Sequence, residues 1–333
     1  MPRYLAVPLY AVLLAAMLLG FPGPLAAQEG GLSATPADGR LFFLDIRGRV
    51  YSANPDGSDL KVLLEFLKGS PDGITVDEEA GLIYWSNMGR SSEDDGSIER
   101  ADLNGNQYKI VVPPGGMHTA KQLKLDKKNG KLYWSDREGM RVMRSNLDGS
   151  KIETLVEVAR GDAARADASN WCVGIAVDVE GGKVYWTQKG PDNGYVGSIR
   201  RTNLEMPKGQ TAANRKDIEI LFEGLPEPID LDLDTDRKMI YWTDRGDAPK
   251  GNNVSRAPMQ MPKGATAKTR TDQQVLLKDL QEGIGVALDL KNNRMFVTDL
   301  RGNLYSATLD GANRKVLKTG LGSLTGIAYA EVR

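Results

Sequence analysis

The chain has 333 residues, 41% of them hydrophobic and 26% charged, with a formal net charge of −1. That length supports one large or two ordinary domains, and the near-neutral balance excludes a global field that would draw the protein to nucleic acid or an anionic membrane. A single cysteine, Cys172, rules out an intrachain disulfide, and a single histidine, His118, rules out a multi-histidine zinc site within one chain.

Residues 1–27 read as a signal peptide. Arg3 supplies the positive n-region, Leu5 to Leu19 form an apolar stretch too short for a comfortable membrane span, and Pro22-Gly23-Pro24 follow. Small residues at Ala26 and Ala27 predict cleavage before Gln28, and the absence of a cysteine there argues against a lipid anchor. No later run approaches the ~18 apolar residues of a span. The mature region, 28–333, is therefore expected to be exported, secreted or periplasmic, with no membrane span.

From Phe42 onward one pattern recurs: an apolar strand ending in Asp, an offset of seven residues, then an aromatic pair. Gly73–Asp77 leads to Tyr84-Trp85-Ser86-Asn87, and Leu123–Asp126 to Tyr133-Trp134-Ser135-Asp136. Ile175–Asp178 leads to Tyr185-Trp186-Thr187-Gln188, Leu231–Asp234 to Tyr241-Trp242-Thr243-Asp244, and Val286–Asp289 to Phe296-Val297-Thr298-Asp299. Phe42-Phe43-Leu44-Asp45 is a sixth second strand without its first. A constant offset between alternating apolar runs predicts a hairpin of fixed length. Third strands such as Ile98–Asp102 run into Asn-Gly or Asp-Gly turns, and fourth strands such as Val62-Leu63-Leu64 close each unit. Four strands at a spacing of about 40 to 56 residues fit propeller blades. Leu324–Ala330 matches a first strand with no blade after it, and should pair beside Phe42–Asp45. The predicted fold is all-β: a six-bladed β-propeller of four antiparallel strands per blade, its first blade closed by the C-terminal strand.

Tyr241-Trp242-Thr243-Asp244, and Tyr133-Trp134-Ser135-Asp136 one residue away from it, give the chain a resemblance to the YWTD, or LDL-receptor class B, β-propeller family over essentially all of the mature region. Asn87 and Gln188 depart from the pattern at the acid, Phe42 and Phe296 at the tyrosine; these changes bear on local hydrogen bonds and not on the fold. The resemblance implies a non-catalytic recognition domain. Receptor relatives bind protein or peptide ligands over the face that carries the blade-to-blade connectors, here termed the top, and add EGF-like and membrane modules not found in this sequence. The expectation is a free-standing, monomeric exported protein with a protein, peptide or glycan ligand.

Several residues stand out within that frame. Trp85, Trp134, Trp186 and Trp242 share blades with Arg100, Arg144, Arg201 and Arg256 of the third strands, whereas blades 1 and 6 lack both, so each arginine is expected to pack on a tryptophan. Top-face connectors and loops carry His118, Trp171 and Tyr195. First-strand positions that break a small-residue pattern are Gln122, Lys124, Asp230 and Asp232, expected at the channel, and these seven residues are the candidate ligand-binding set. No cofactor is expected. The alternative is a lactonase-like hydrolase with a divalent metal in the channel on Asp230 and Asp232, with Gln122 in reach, although no acid–base partner is evident. On the opposite face, Met206-Pro207-Lys208-Gly209 and Met261-Pro262-Lys263-Gly264 head two near-copied insertions. Their Lys208, Arg215, Lys216, Lys263, Lys268 and Arg270 form a candidate basic patch.

Overall fold

A computed structural model describes residues 39–65 and 67–332; the signal peptide read from the sequence lies outside these residues. The described residues form 24 strands in six four-stranded antiparallel sheets. Blade 2 runs from its inner strand Pro71–Asp77 to its outer strand Lys109–Val112, blade 3 from Ala120–Asp126 to Glu153–Glu157, and blade 4 from Cys172–Asp178 to Glu219–Leu225. Blade 5 runs from Pro228–Asp234 to Gln274–Leu277 and blade 6 from Gly283–Asp289 to Lys315–Lys318. Blade 1 takes Arg40–Asp45, Arg49–Ala53 and Lys61–Leu64 from the start of the described chain and its inner strand, Leu324–Ala330, from the end. Phe42 pairs with Ala328 and Phe43 with Ile327, so the ring closes as the sequence predicts and its inner sheet edge is covered.

Each letter of the repeated tetrapeptide has its own task. Successive strand side chains point to opposite faces, so the aromatic pair serves two blade interfaces at once. Tyr84 of blade 2 packs in one core with Trp134 of blade 3, Tyr133 with Trp186 of blade 4, and Tyr185 with Trp242 of blade 5. Tyr241 meets Val297, Phe296 meets Phe43, and Phe42 meets Trp85, which completes the circle. The hydroxyl in third place links inner strands. Thr243 Oγ1 accepts from Asp230 N in its own blade (3.1 Å) and donates to Ile284 O in the next (2.6 Å). Ser86, Thr187 and Thr298 bridge in the same way. Blade 1 carries Leu44 there, and Thr325 of the closing strand supplies the missing link by donating to Pro71 O at 3.0 Å. The acid in fourth place pins the connector that enters its own blade: Asp136 accepts from His118 N and Thr119 N, and Asp244 from Glu227 N. Where Asn87 and Gln188 replace it, the side-chain carbonyl oxygens have no partner.

Two expectations are corrected. The third-strand arginines sit opposite the tyrosines, not the tryptophans: Tyr84 pairs with Arg100, Tyr133 with Arg144, Tyr185 with Arg201 and Tyr241 with Arg256. Co-occurrence gave the right blades, but strand alternation puts the guanidinium groups on the tyrosine face. There Arg144, Arg201 and Arg256 donate to the carbonyls of Leu204, Met259 and Leu309 in the next blade.

The basic patch is also divided. Arg215 and Arg270 are buried, and each is a staple rather than a docking group. Arg215 binds Asp217 through two bonds of 2.8 Å and reaches back to Leu155 O of blade 3, also at 2.8 Å. Arg270 repeats this with Asp272 and with Leu221 O of blade 4, its guanidinium 3.9 Å from the Phe222 ring centre. Ala212 O and Ala267 O accept from Glu157 N and Glu223 N, so each insertion also bonds the outer strand of the preceding blade. Lys208, Lys216, Lys263 and Lys268 remain exposed.

Candidate functional site

Close approach of the inner strands explains the small-residue row around the channel. A Cβ added at Gly73 would lie 2.5 Å from Leu123 N, and one at Gly174 2.2 Å from Ile229 O. Asp230 and Gln122 occupy the same row but are accommodated differently. Asp230 Oδ1 accepts from Leu231 N (2.9 Å) and Oδ2 from Val286 N of blade 6 (3.1 Å). Two residues on, Asp232 Oδ1 accepts from Leu233 N (3.1 Å) and Oδ2 from Leu288 N (3.2 Å). Lys124 crosses from blade 3 to within 3.4 Å of Asp232 Oδ1. Burial pushes the Asp230 carboxyl up to about 7 against the pull of Lys124 and the two N–H groups. Burial also opposes the Lys124 ammonium, but Asp232 and Asp230 outweigh it and raise its pKa above the ordinary value.

Gln122 does not join this group. Its Nε2 donates to Asp72 Oδ1 at 3.1 Å, and Asp72 Oδ2 takes the Lys121 ammonium, which also lies 3.2 Å from Met88 Sδ. All four oxygens of Asp230 and Asp232 therefore already accept backbone N–H groups, an ammonium stands where a cation would compete, and the third proposed ligand is held through its amide nitrogen by Asp72. This donor set does not fit a divalent metal. Among the described residues no group of three or more His, Cys, Asp or Glu is arranged to hold one. The channel cavity beside Lys124 and Asp232 is about 110 Å³.

On the top face, Val173, Ile229 and Ile284 of blades 4 to 6 form a buried apolar cluster with Leu300 packed against it. Nearby charges are paired: Glu227 takes Lys189 at 2.8 Å and Arg245, and Lys189 also meets Asp192 at 2.6 Å. His118 is buried, with Nδ1 2.6 Å from Asp94 Oδ1 and Nε2 2.9 Å from Ser91 O. It fastens the loop between Asn87 and Gly96 to the blade 2–3 connector. With Nε2 on a main-chain carbonyl and not on a hydroxyl, the arrangement is not a Ser-His-Asp relay.

Beside that loop lies a top-face cleft of about 440 Å³, lined by Trp171, Glu138, Asp162, Arg165 and the Ser91–Ser92 pair. Trp171 Nε1 donates to Arg165 O at 2.8 Å, and the Arg137 guanidinium and Lys189 ammonium stand 5.1 and 5.7 Å from its ring centre. Glu138 binds Arg137 through Oε1 (2.7 Å to Nε), while its buried Oε2 has no partner. A second cleft of about 240 Å³ shares Arg165 and adds His118, Asp94, Arg141, Glu157 and Arg160.

The structure thus places His118 and Trp171 along adjoining clefts, Lys124 and Asp232 in the channel, and Gln122 against Asp72. Tyr195 is exposed under Lys250 (5.3 Å) and does not line either cleft. Cys172 is buried, and burial holds its thiol well above the ordinary range, which leaves it unreactive. Glu138, Ser91 and Ser92 were missed by sequence reasoning. Trp171, the one tryptophan outside the repeat, was the signal that could have led to them, but only folding shows what surrounds it.

No family model matches the chain. Low-density lipoprotein receptor-related protein 1 of Pyricularia oryzae is 43% identical over 312 residues, which cover 89% of this chain and 99% of that protein. A 3-hydroxyacyl-CoA dehydrogenase-like protein of Cochliobolus heterostrophus is 39% identical over 89% of this chain, a match spanning 64% of its own length. Among solved structures, a chain of a nidogen/laminin complex matches with a TM-score of 0.66 at 20% identity, over 87% of this chain and 98% of that one. A luciferin-regenerating enzyme matches with a TM-score of 0.53 at 13% identity, over 77% and 78%. At these identities the structural matches speak to the fold alone.

Proposed function

This chain belongs to the YWTD, or LDL-receptor class B, β-propeller family, and from that premise we propose that it is an exported recognition propeller whose ligand sits on the top face. The observation that carries this reading is the contrast between channel and cleft. The oxygens of Asp230 and Asp232 are committed to backbone N–H groups, whereas the Trp171 cleft has an aromatic wall, two serines and, buried within its wall, an unpartnered carboxylate oxygen. The solved nidogen/laminin complex supports the idea that a propeller of this shape can serve in an assembly between proteins. The dehydrogenase-like name belongs to a longer relative. The sheets described here are antiparallel, unlike the parallel, helix-covered sheet on which dinucleotide sites are built. Closure by Leu324–Ala330 within the same chain supports a monomer.

Elemental analysis of protein purified from culture medium, together with lactone and ester hydrolysis assays, tests the reading. The expected result is a mature chain beginning at Gln28, with no stoichiometric metal and no turnover. Stoichiometric metal that is lost together with hydrolysis in Asp230→Asn and Asp232→Asn variants would establish the enzyme instead.

A further inference from the structure

We propose that the Trp171 cleft is a saccharide-binding subsite for a neutral oligosaccharide; this rests on the top-face reading and names the chemistry of its ligand. The aromatic wall is already fixed. Trp171 is tied by its indole N–H to Arg165 O and flanked by Arg137 and Lys189, so little side-chain freedom is lost on binding. A rigid aromatic face suits the apolar C–H face of a pyranose ring.

The charge arrangement selects among ligands. Glu138 is neutralised by Arg137, Asp162 by Arg165 at 2.8 Å, and Lys189 by Asp192 and Glu227. A charged ligand would have to displace one of these partners and leave the other side chain uncompensated. A neutral polyol breaks none of the pairs, since its hydroxyls donate to carboxylate oxygens and accept from guanidinium N–H groups in the same plane. Glu138 Oε2 lacks a donor although the residue is only 3% exposed and belongs to the cleft wall. A buried acceptor without a donor is costly, and a turn of the carboxylate into the cleft would let a ligand hydroxyl relieve it. The volume of about 440 Å³ is that of a small-molecule site. Its neighbour, joined through Arg165, extends the surface for further sugar units.

The test is calorimetric titration with neutral glucose, mannose and N-acetylglucosamine tetramers and their dimers, alongside galacturonate and glucosamine tetramers as charged probes. At least one neutral tetramer should bind one to one, and more tightly than its dimer. Trp171→Ala should weaken that binding at least 10-fold, Trp171→Phe about 3-fold and Glu138→Gln between 3- and 10-fold, with thermal midpoints unchanged. Failure of every neutral tetramer to bind overturns the neutral-saccharide assignment. If a charged tetramer binds instead and Trp171→Ala abolishes it, the argument from charge pairing is wrong while the top-face site stands. Binding that survives Trp171→Ala overturns both.

Discussion

Two regions interrupt the regularity of the ring, and they differ in how their polar groups are used. The twin insertions of blades 4 and 5 look like a docking surface in sequence, yet their arginines are sealed against Asp217 and Asp272 and against main-chain carbonyls of the preceding blade. The blade 3–4 connector, with the short helix Asp162–Arg165, instead helps to build a cleft beside which Glu138 keeps an unpartnered oxygen. A departure from a repeat is therefore no guide to function by itself. What distinguishes the two is whether the fold has already satisfied the polar groups at or beside the departure.

The largest expected effect lies in the insertions. Arg215→Ala or Arg270→Ala leaves a carboxylate and buried carbonyls without their donor and should cost about 3–5 kcal/mol, the usual loss for one member of a buried pair. Denaturant unfolding would measure it. A loss below about 1 kcal/mol would mean that the staple is dispensable and erase the contrast with the cleft.

The pH dependence of stability separates the insertions from the ring. Burial pushes Asp230 and Asp244 of the ring up to about 7, above their unfolded values. The stability they contribute is complete below about pH 4 and is lost as pH rises through about 7. Asp217 and Asp272 are held down mainly by Arg215 and Arg270, so their contribution is present above about pH 4 and is lost on further acidification. The thermal midpoint should therefore peak near pH 5, falling towards pH 8 on account of the ring and towards pH 3 on account of the insertions. Asp244→Asn, which copies what blade 2 carries at Asn87, should flatten the limb between pH 5 and 8. A wild-type midpoint that rises steadily to pH 8 would contradict this assignment.

The smallest effect is expected from the exposed lysines of the insertions. Replacing Lys208, Lys216, Lys263 and Lys268 together by Ser should change stability by no more than about 0.5 kcal/mol per site. The same variant should bind the cleft ligand as wild type does. Loss of that binding would return the basic insertions to the functional surface.

Much of this molecule was legible in advance. Six phased copies of an aromatic strand, a constant offset and an unpaired last strand determined the ring, its blade number and its closure, because period-2 alternation and hairpin length are local properties of the chain. The roles of Thr243 and Asp244 were not legible, since each acts on main-chain groups brought close only by the packing of blade on blade or of a connector on its blade. The arginines show the limit most clearly: sequence identified the blades that carry them, but the register between second and third strands decided that they face tyrosine. The same holds for the candidate site. Trp171 was visible as the tryptophan without a repeat, and Asp230 and Asp232 as charges on inner strands. Only the tertiary structure decided that the two carboxylates are tied to blade 6 while Glu138, unremarkable in sequence, keeps a free oxygen, because hydrogen-bond satisfaction depends on neighbours tens of residues away.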